Sequence, residues 1–144
     1  MKKGYLMSFA LVLAIVILTG CGSSKKTLTC VQENSDNGFT NTDKIVYEFE
    51  SDRVKKATQV ASINAQGDYA QYLGNYKDSA SQAVEGYNKL DGMSAKVEEE
   101  GSTVTLTVEM NPMEMSESDF TLYNMGENYE SMKIKLTDQG YTCK

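Results

Sequence analysis

From Thr103 to Met110 the chain alternates without a break: Val104, Leu106, Val108 and Met110 are apolar, and Thr103, Thr105, Thr107 and Glu109 between them are polar. Side chains of a strand point alternately to opposite faces, so a period of two predicts a strand in a sheet with one buried and one wet face. That pattern belongs to antiparallel sheets. The remainder of the chain must supply partner strands and a cover for the apolar face.

Strand character begins at Thr27, and in Lys44–Glu50 the residues Ile45, Tyr47 and Phe49 share one face. Ser51-Asp52 reads as a turn into an extended segment over Arg53–Ala65, where Val54, Ala57, Val60, Ala61 and Ile63 recur less regularly. The two segments are expected to form a hairpin. Asp68 with Gln71 forms an N-cap pair opening a helical stripe of Tyr69, Tyr72, Leu73, Tyr76, Ala80, Ala83, Val84 and Tyr87, which ends near Leu90 and Gly92. Met93–Glu99 alternates again, and Glu100-Gly101-Ser102 turns into the Thr103 strand. Pro112, which cannot donate to a ladder, ends that strand, and Met113–Met125 reads as irregular or briefly helical. A last helix is expected from Asn124 or Asn128 to Gln139, with Tyr129, Met132 and Leu136 on one side and Gly140 as its stop. The order predicts an α+β fold: an antiparallel sheet with one long helix and a C-terminal helix packed on one face.

Lys2 and Lys3 followed by an apolar run from Leu6 to Leu18 have the form of a secretory leader. The run is too short to span a bilayer, which takes ~20 apolar residues. Its end, Leu18-Thr19-Gly20-Cys21, resembles the lipobox of bacterial lipoproteins. Small residues admit a signal peptidase, and the Cys21 thiol takes up a diacylglyceryl group, with a palmitate as a further acyl chain. The expected organisation is therefore residues 1–20 as signal peptide, 21–27 as lipidated cysteine and short tether, and 28–144 as a single extracytoplasmic domain. Two acyl chains, at about 0.8 kcal/mol per buried methylene, hold a protein stably on the extracytoplasmic face of the cell membrane.

Loss of the leader leaves 144 − 20 = 124 residues, enough for one domain with its own core. It also removes Lys2 and Lys3, so the formal charge goes from −6 to −6 − 2 = −8. With Arg53 as its only arginine, a chain this acidic lacks the basic patch a nucleic-acid partner requires. Cys30 and Cys143 stand near the two ends of the folded region, on the oxidising side of the membrane. A structural disulfide is the expectation, weighed against two free thiols or a metal or redox role, and the spacing has no CxxC logic. If they pair, the last element lies beside the first strand.

Several of these segments together resemble the YehR-like family of small bacterial lipoproteins: the lipobox, Val46-Tyr47-Glu48-Phe49 followed by Asp52-Arg53-Val54-Lys55, the helix end Tyr87-Asn88-Lys89-Leu90-Asp91-Gly92-Met93, and Val104-Thr105-Leu106-Thr107. The resemblance covers most of the mature chain. It implies the architecture and the location, and a function that is itself unassigned.

The chain contains no histidine, which removes Ser-His-Asp and Cys-His nucleophiles and the common zinc sites. The carboxylate clusters Glu98-Glu99-Glu100 and Glu114, Glu117, Asp119 fall in or beside turns and read as solvated charge rather than as a general acid and base. Glu33-Asn34-Ser35-Asp36-Asn37-Gly38 is a polar turn; as a calcium loop it would place Lys44 where the bidentate glutamate belongs. Met110, Met113 and Met115 around Pro112 could converge on Cu(I), although core packing is the ordinary use of methionine. The stripe of Tyr69, Tyr72, Tyr76 and Tyr87 could stack ligands but is expected to be core. No cofactor and no enzymatic activity are expected. The reading is a lipid-anchored interaction module meeting an envelope protein or wall component, with the Thr103, Thr105, Thr107 and Glu109 face as a place to look. The alternative is a small-ligand or Cu(I) carrier using Met110–Met115 or the tyrosines.

Overall fold

The structure is a computed structural model that describes residues 23–144. The expected signal peptide and the lipidation site Cys21 lie outside the described residues. Six strands form one antiparallel sheet: β1 (Lys25–Asp36), β2 (Phe39–Glu50), β3 (Arg53–Ala65), β4 (Met93–Glu100), β5 (Thr103–Met110) and β6 (Thr142–Cys143). Their spatial order is β4-β5-β3-β2-β1-β6. Three helices complete the fold: α1 (Leu73–Tyr87), entered through a 3-10 turn over Gly67–Tyr72, α2 (Glu117–Leu122) and α3 (Tyr129–Asp138). This is the α+β architecture expected, with α1 against β4 and β5 and α3 against β1 and β6.

The long β1–β2 hairpin turns on Asn37-Gly38, both at positive φ (50° and 79°). Two left-handed residues match the right-handed twist of the flanking strands, which is why Asn-Gly is favoured there. The β2–β3 turn is built the same way from Ser51 and Asp52, at φ 50° and 63°. A register shift at Glu48/Phe49 pairs Glu48 with Lys56 but Phe49 with Val54. The extra residue, Lys55, explains the uneven pattern of this segment. Val54 and then Ala57, Gln59, Ala61, Ile63 and Ala65 all reach the helix-bearing face, while Val60 falls on the other.

The main core joins Leu28, Cys30, Ile45, Tyr47, Phe49, Val108 and Met110 of the sheet to Met125, Met132 and Leu136. Ala65, Leu73 and Val104 form a smaller cluster near the other end. α3 is capped by Asn128, whose side chain accepts from Ser131 N at 2.9 Å, and ends at Gly140 with φ 94°.

Several boundaries differ from expectation: β1 runs on to Asp36 and β2 starts at Phe39 rather than Lys44, so the polar turn expected over Glu33–Gly38 narrows to Asn37-Gly38. β1 starts at Lys25, inside the segment expected to be a free tether. Ser24 O accepts from Ser51 N at 2.9 Å, and Ser23 Oγ donates to Glu50 at 2.6 Å. Long β2 has unpaired backbone groups through Glu50, and extending β1 satisfies them despite the polar sequence. The expected Asp68–Gln71 cap also does not form; the turn begins after Gln66, with no side-chain cap.

Candidate functional site

α1 buries only Leu73 fully. The two clusters that hold the helices to the sheet lie toward its opposite ends, and a cleft opens along two rungs beside the smaller one, whose Val104, with Ile63 packed against it, forms part of the cleft floor. One rung runs Gln32–Asp43–Ala61–Leu106 and the next Asn34–Asn41–Ile63–Val104, each residue directly opposite its neighbour on the adjacent strand. With Tyr76 and Ala80 of α1 they line a cleft of about 400 Å³. Ligand sites of small molecules have this size.

The strand order makes the cleft amphipathic. β1 and β2 contribute amides and a carboxylate, whereas β3 and β5 contribute aliphatic side chains. Asp43 is held from behind: Gln59 Nε2 donates to both of its oxygens at 3.0 Å, and the Tyr141 hydroxyl donates to Oδ2 at 2.6 Å. Burial, with the Asp43 carboxylate beside it, pushes the Tyr141 phenol well above the ordinary tyrosine range. Tyr141 therefore stays a donor at any physiological pH.

Its position follows from the Cys30–Cys143 disulfide. Cys30 is opposite Cys143 in the β1–β6 ladder, and Thr29 and Lys144 exchange both backbone bonds at 3.0 and 2.9 Å. Cys30 and Cys143 thus form the close, non-hydrogen-bonded kind of pair. The last strand lies beside the first, as the pairing required, and Tyr141, two residues before Cys143, is brought over β1 to Asp43.

The tyrosine stripe is not core. Tyr69, Tyr72 and Tyr76 are 41%, 48% and 42% exposed. Only Tyr87 packs against the main cluster. The physical reason is that Tyr69 and Tyr72 belong to the 3-10 turn, where the 3.6-residue period does not apply, while Tyr76 sits where α1 stands over the open rungs. Phe39 gathers them: its ring centroid is 5.3 Å from that of Tyr69 and 5.5 Å from that of Tyr76. An aromatic cluster thus stands at one end of the cleft, with Tyr76 in its wall.

The three methionines do not converge. Met110 is buried on the inner face of β5, Met113 is 76% exposed, and Met115 is half-buried against the main core. Met113, for which core packing is the alternative expectation, instead points to solvent, because the turn after Pro112 directs it outward. This arrangement does not fit a Cu(I) site. Among the described residues no group of three or more Cys, Asp or Glu could hold a metal ion.

The carboxylate clusters are also dispersed. Glu98 pairs with Lys96 at 2.8 Å and Glu99 with Lys77 of α1 at 2.7 Å. Glu117 and Asp119 occupy the first turn of α2, behind its N-cap Ser116, where negative charge suits the helix dipole. On the face away from the helices, Thr103, Thr105 and Thr107 are half-exposed and Glu109, exposed, meets Lys56 at 3.3 Å.

The comparisons with known proteins add the fold. No family model and no curated protein matches the sequence. One solved structure, described as an NMR structure of a protein from Streptococcus pneumoniae TIGR4, is similar over 100% of this chain and 97% of its own, with a TM-score of 0.56 and 13% identity. At that identity the likeness concerns the arrangement of strands and helices.

Asp43 and its partners did not stand out in the sequence. The signal was present as an interruption: the face that reads Ile45, Tyr47 and Phe49 continues backward as Asp43 and Asn41 before returning to Phe39, and the face of Leu28 and Cys30 continues as Gln32 and Asn34. Two polar stretches on an apolar face become one feature only when the hairpin register sets them opposite each other.

Proposed function

We propose that this chain is a lipid-anchored protein of the extracytoplasmic face, of the kind the YehR-like resemblance implies, and that it acts by binding a small ligand in the cleft between α1 and the sheet. The observation that carries the reading is the cleft itself: an aliphatic floor, an amide and carboxylate wall, and an aromatic residue opposite. Residues from four strands and one helix converge on it, and its carboxylate, Asp43, is held by Gln59 and Tyr141, which do not line the cleft. Such a wall can orient a ligand. The chemistry available there, amides and one carboxylate with no histidine in the chain, suits recognition better than turnover.

The anchor and the cleft are compatible in geometry. Gln32 and Asn34 lie seven and nine residues along β1 from Lys25, which is about 25–30 Å of strand. Lipidation at Cys21, four residues before Lys25, puts the first strand at the bilayer and the cleft well along it.

The test is native mass spectrometry of the full lipoprotein, extracted from its own membrane in mild detergent, with and without reductant. The expected spectrum shows a chain beginning at an acylated Cys21, two hydrogens lighter for the disulfide, with a bound small mass that the Leu106→Trp variant lacks. An unacylated chain, or a bound mass that is retained when Trp fills the cleft, would defeat the proposal.

A further inference from the structure

The charge in the cleft narrows the ligand class. Asp43 is half-buried, and both of its oxygens are met only by neutral donors, the Gln59 amide and the Tyr141 hydroxyl. Among the described residues its carboxylate takes part in no ion pair, although six lysine–carboxylate pairs occur elsewhere. No lysine or arginine lines the cleft. A carboxylate in the cleft wall without a cationic partner leaves that place to a ligand that brings one, since a charge-assisted hydrogen bond is stronger than a neutral one.

We infer that the cleft takes a small organic cation: a primary or substituted ammonium group carried on an apolar body. The inference rests on the proposed binding role of the cleft and adds the chemical class of the ligand. The ammonium sits against Asp43, with the Asn41 and Gln32 side-chain carbonyls as further acceptors for its N–H bonds. The apolar body lies on Ala61, Ile63, Val104 and Leu106. Tyr76 stands in the wall of the same cleft, and an aromatic ring attracts a cation. An anionic ligand would meet Asp43 with like charge, and an uncharged one would leave the carboxylate without a counter-charge. The sheet order supports this polarity, since the register that places Asp43 opposite Ala61 also places Ala61 opposite Leu106. A cationic head and an aliphatic body therefore meet their complements within one rung.

The experiment compares three water-soluble probes with the same ring: cyclohexylmethylammonium, cyclohexylmethanol and cyclohexanecarboxylate. Binding to the full-length lipoprotein in phosphatidylcholine nanodiscs is followed by ligand-observed saturation-transfer NMR, with empty nanodiscs as the blank. The ammonium is expected to bind about tenfold more tightly than the alcohol, the scale of a charge-assisted hydrogen bond partly screened by water, and the carboxylate to bind most weakly. Asp43→Asn should bring ammonium and alcohol to equal affinity, and Leu106→Trp should remove both. If the wild-type protein binds all three equally, or prefers the carboxylate, the cation assignment is overturned while cleft binding stands. Should no probe bind, or should Leu106→Trp leave binding intact, the cleft reading itself fails. The wild-type series is decisive even if Asp43→Asn does not fold.

Discussion

Removing the Cys30–Cys143 bridge tests how the fold holds its two ends together and its Asp43 wall in place. The bond joins residues 113 apart in sequence. In the chain-entropy model, closing a loop of that size lowers the entropy of the unfolded chain enough to stabilise the fold by about 5 kcal/mol. Little else anchors the closing strand: β6 has two residues, and its ladder is completed by the Thr29–Lys144 pair of backbone bonds. The double variant Cys30→Ala, Cys143→Ala also loses packing at Cys30, which is 0% exposed, so the total loss should be about 4–6 kcal/mol. For a domain of this size, near the usual 5–15 kcal/mol of total stability, that leaves a marginal fold. Urea unfolding followed by far-UV circular dichroism measures it. Hydrogen exchange should show β6 and the Thr29 amide opening first, and Tyr141 should lose its hold on Asp43. A midpoint shift equivalent to less than about 1 kcal/mol would refute the reasoning, since it would mean that the unfolded chain without the bridge is already as constrained as the bridged one.

Gly92 carries φ 75°, and a Cβ there would come within 2.6 Å of Asn111 O and 2.8 Å of Met115 N, both backbone atoms; Gly92→Ala should cost about 2–4 kcal/mol in thermal or urea unfolding, and a loss below 1 kcal/mol would show that the Asn111 chain yields freely. Tyr47 is buried and its phenol is pushed up to about 12, by burial first and then by the charge of Asp43. Because the folded value lies above the unfolded one, this contribution is complete below pH 10 and is lost as pH rises toward 12, at about 1.4 kcal/mol per pH unit for the one group; Tyr47→Phe should flatten that part of the stability profile, and an unchanged profile would count against the assignment. Met132 is 1% exposed and Met113 76%, so Met132→Ala should cost about 2–5 kcal/mol whereas Met113→Leu should stay within about 0.5 kcal/mol. Equal losses, read from the same unfolding curves, would contradict the burial pattern.

What the sequence by itself determined is the local part of the fold. The alternation of Thr103–Met110, the Asn128 cap, the Gly140 stop and the break at Pro112 each act through neighbouring backbone, so each is written where it operates. Expectations that depended on one period being kept over a long stretch fared less well. Tyr69 and Tyr72 leave the α1 face because the chain enters the helix through a 3-10 turn, and Lys25–Thr27, expected to be free, joins β1 because β2 is long enough to recruit it into a ladder. The cleft belongs to tertiary structure alone. Gln32, Asn41, Asp43 and Gln59 read in sequence as isolated polar interruptions, and Tyr141 as a residue near the end. Hairpin register aligns the first four, a lysine bulge keeps β3 in phase with them, and the disulfide carries Tyr141 back across β1. Only strand order then puts this polar half beside an aliphatic one, because the pairing of β3 with β5 joins segments that nothing local in the sequence connects.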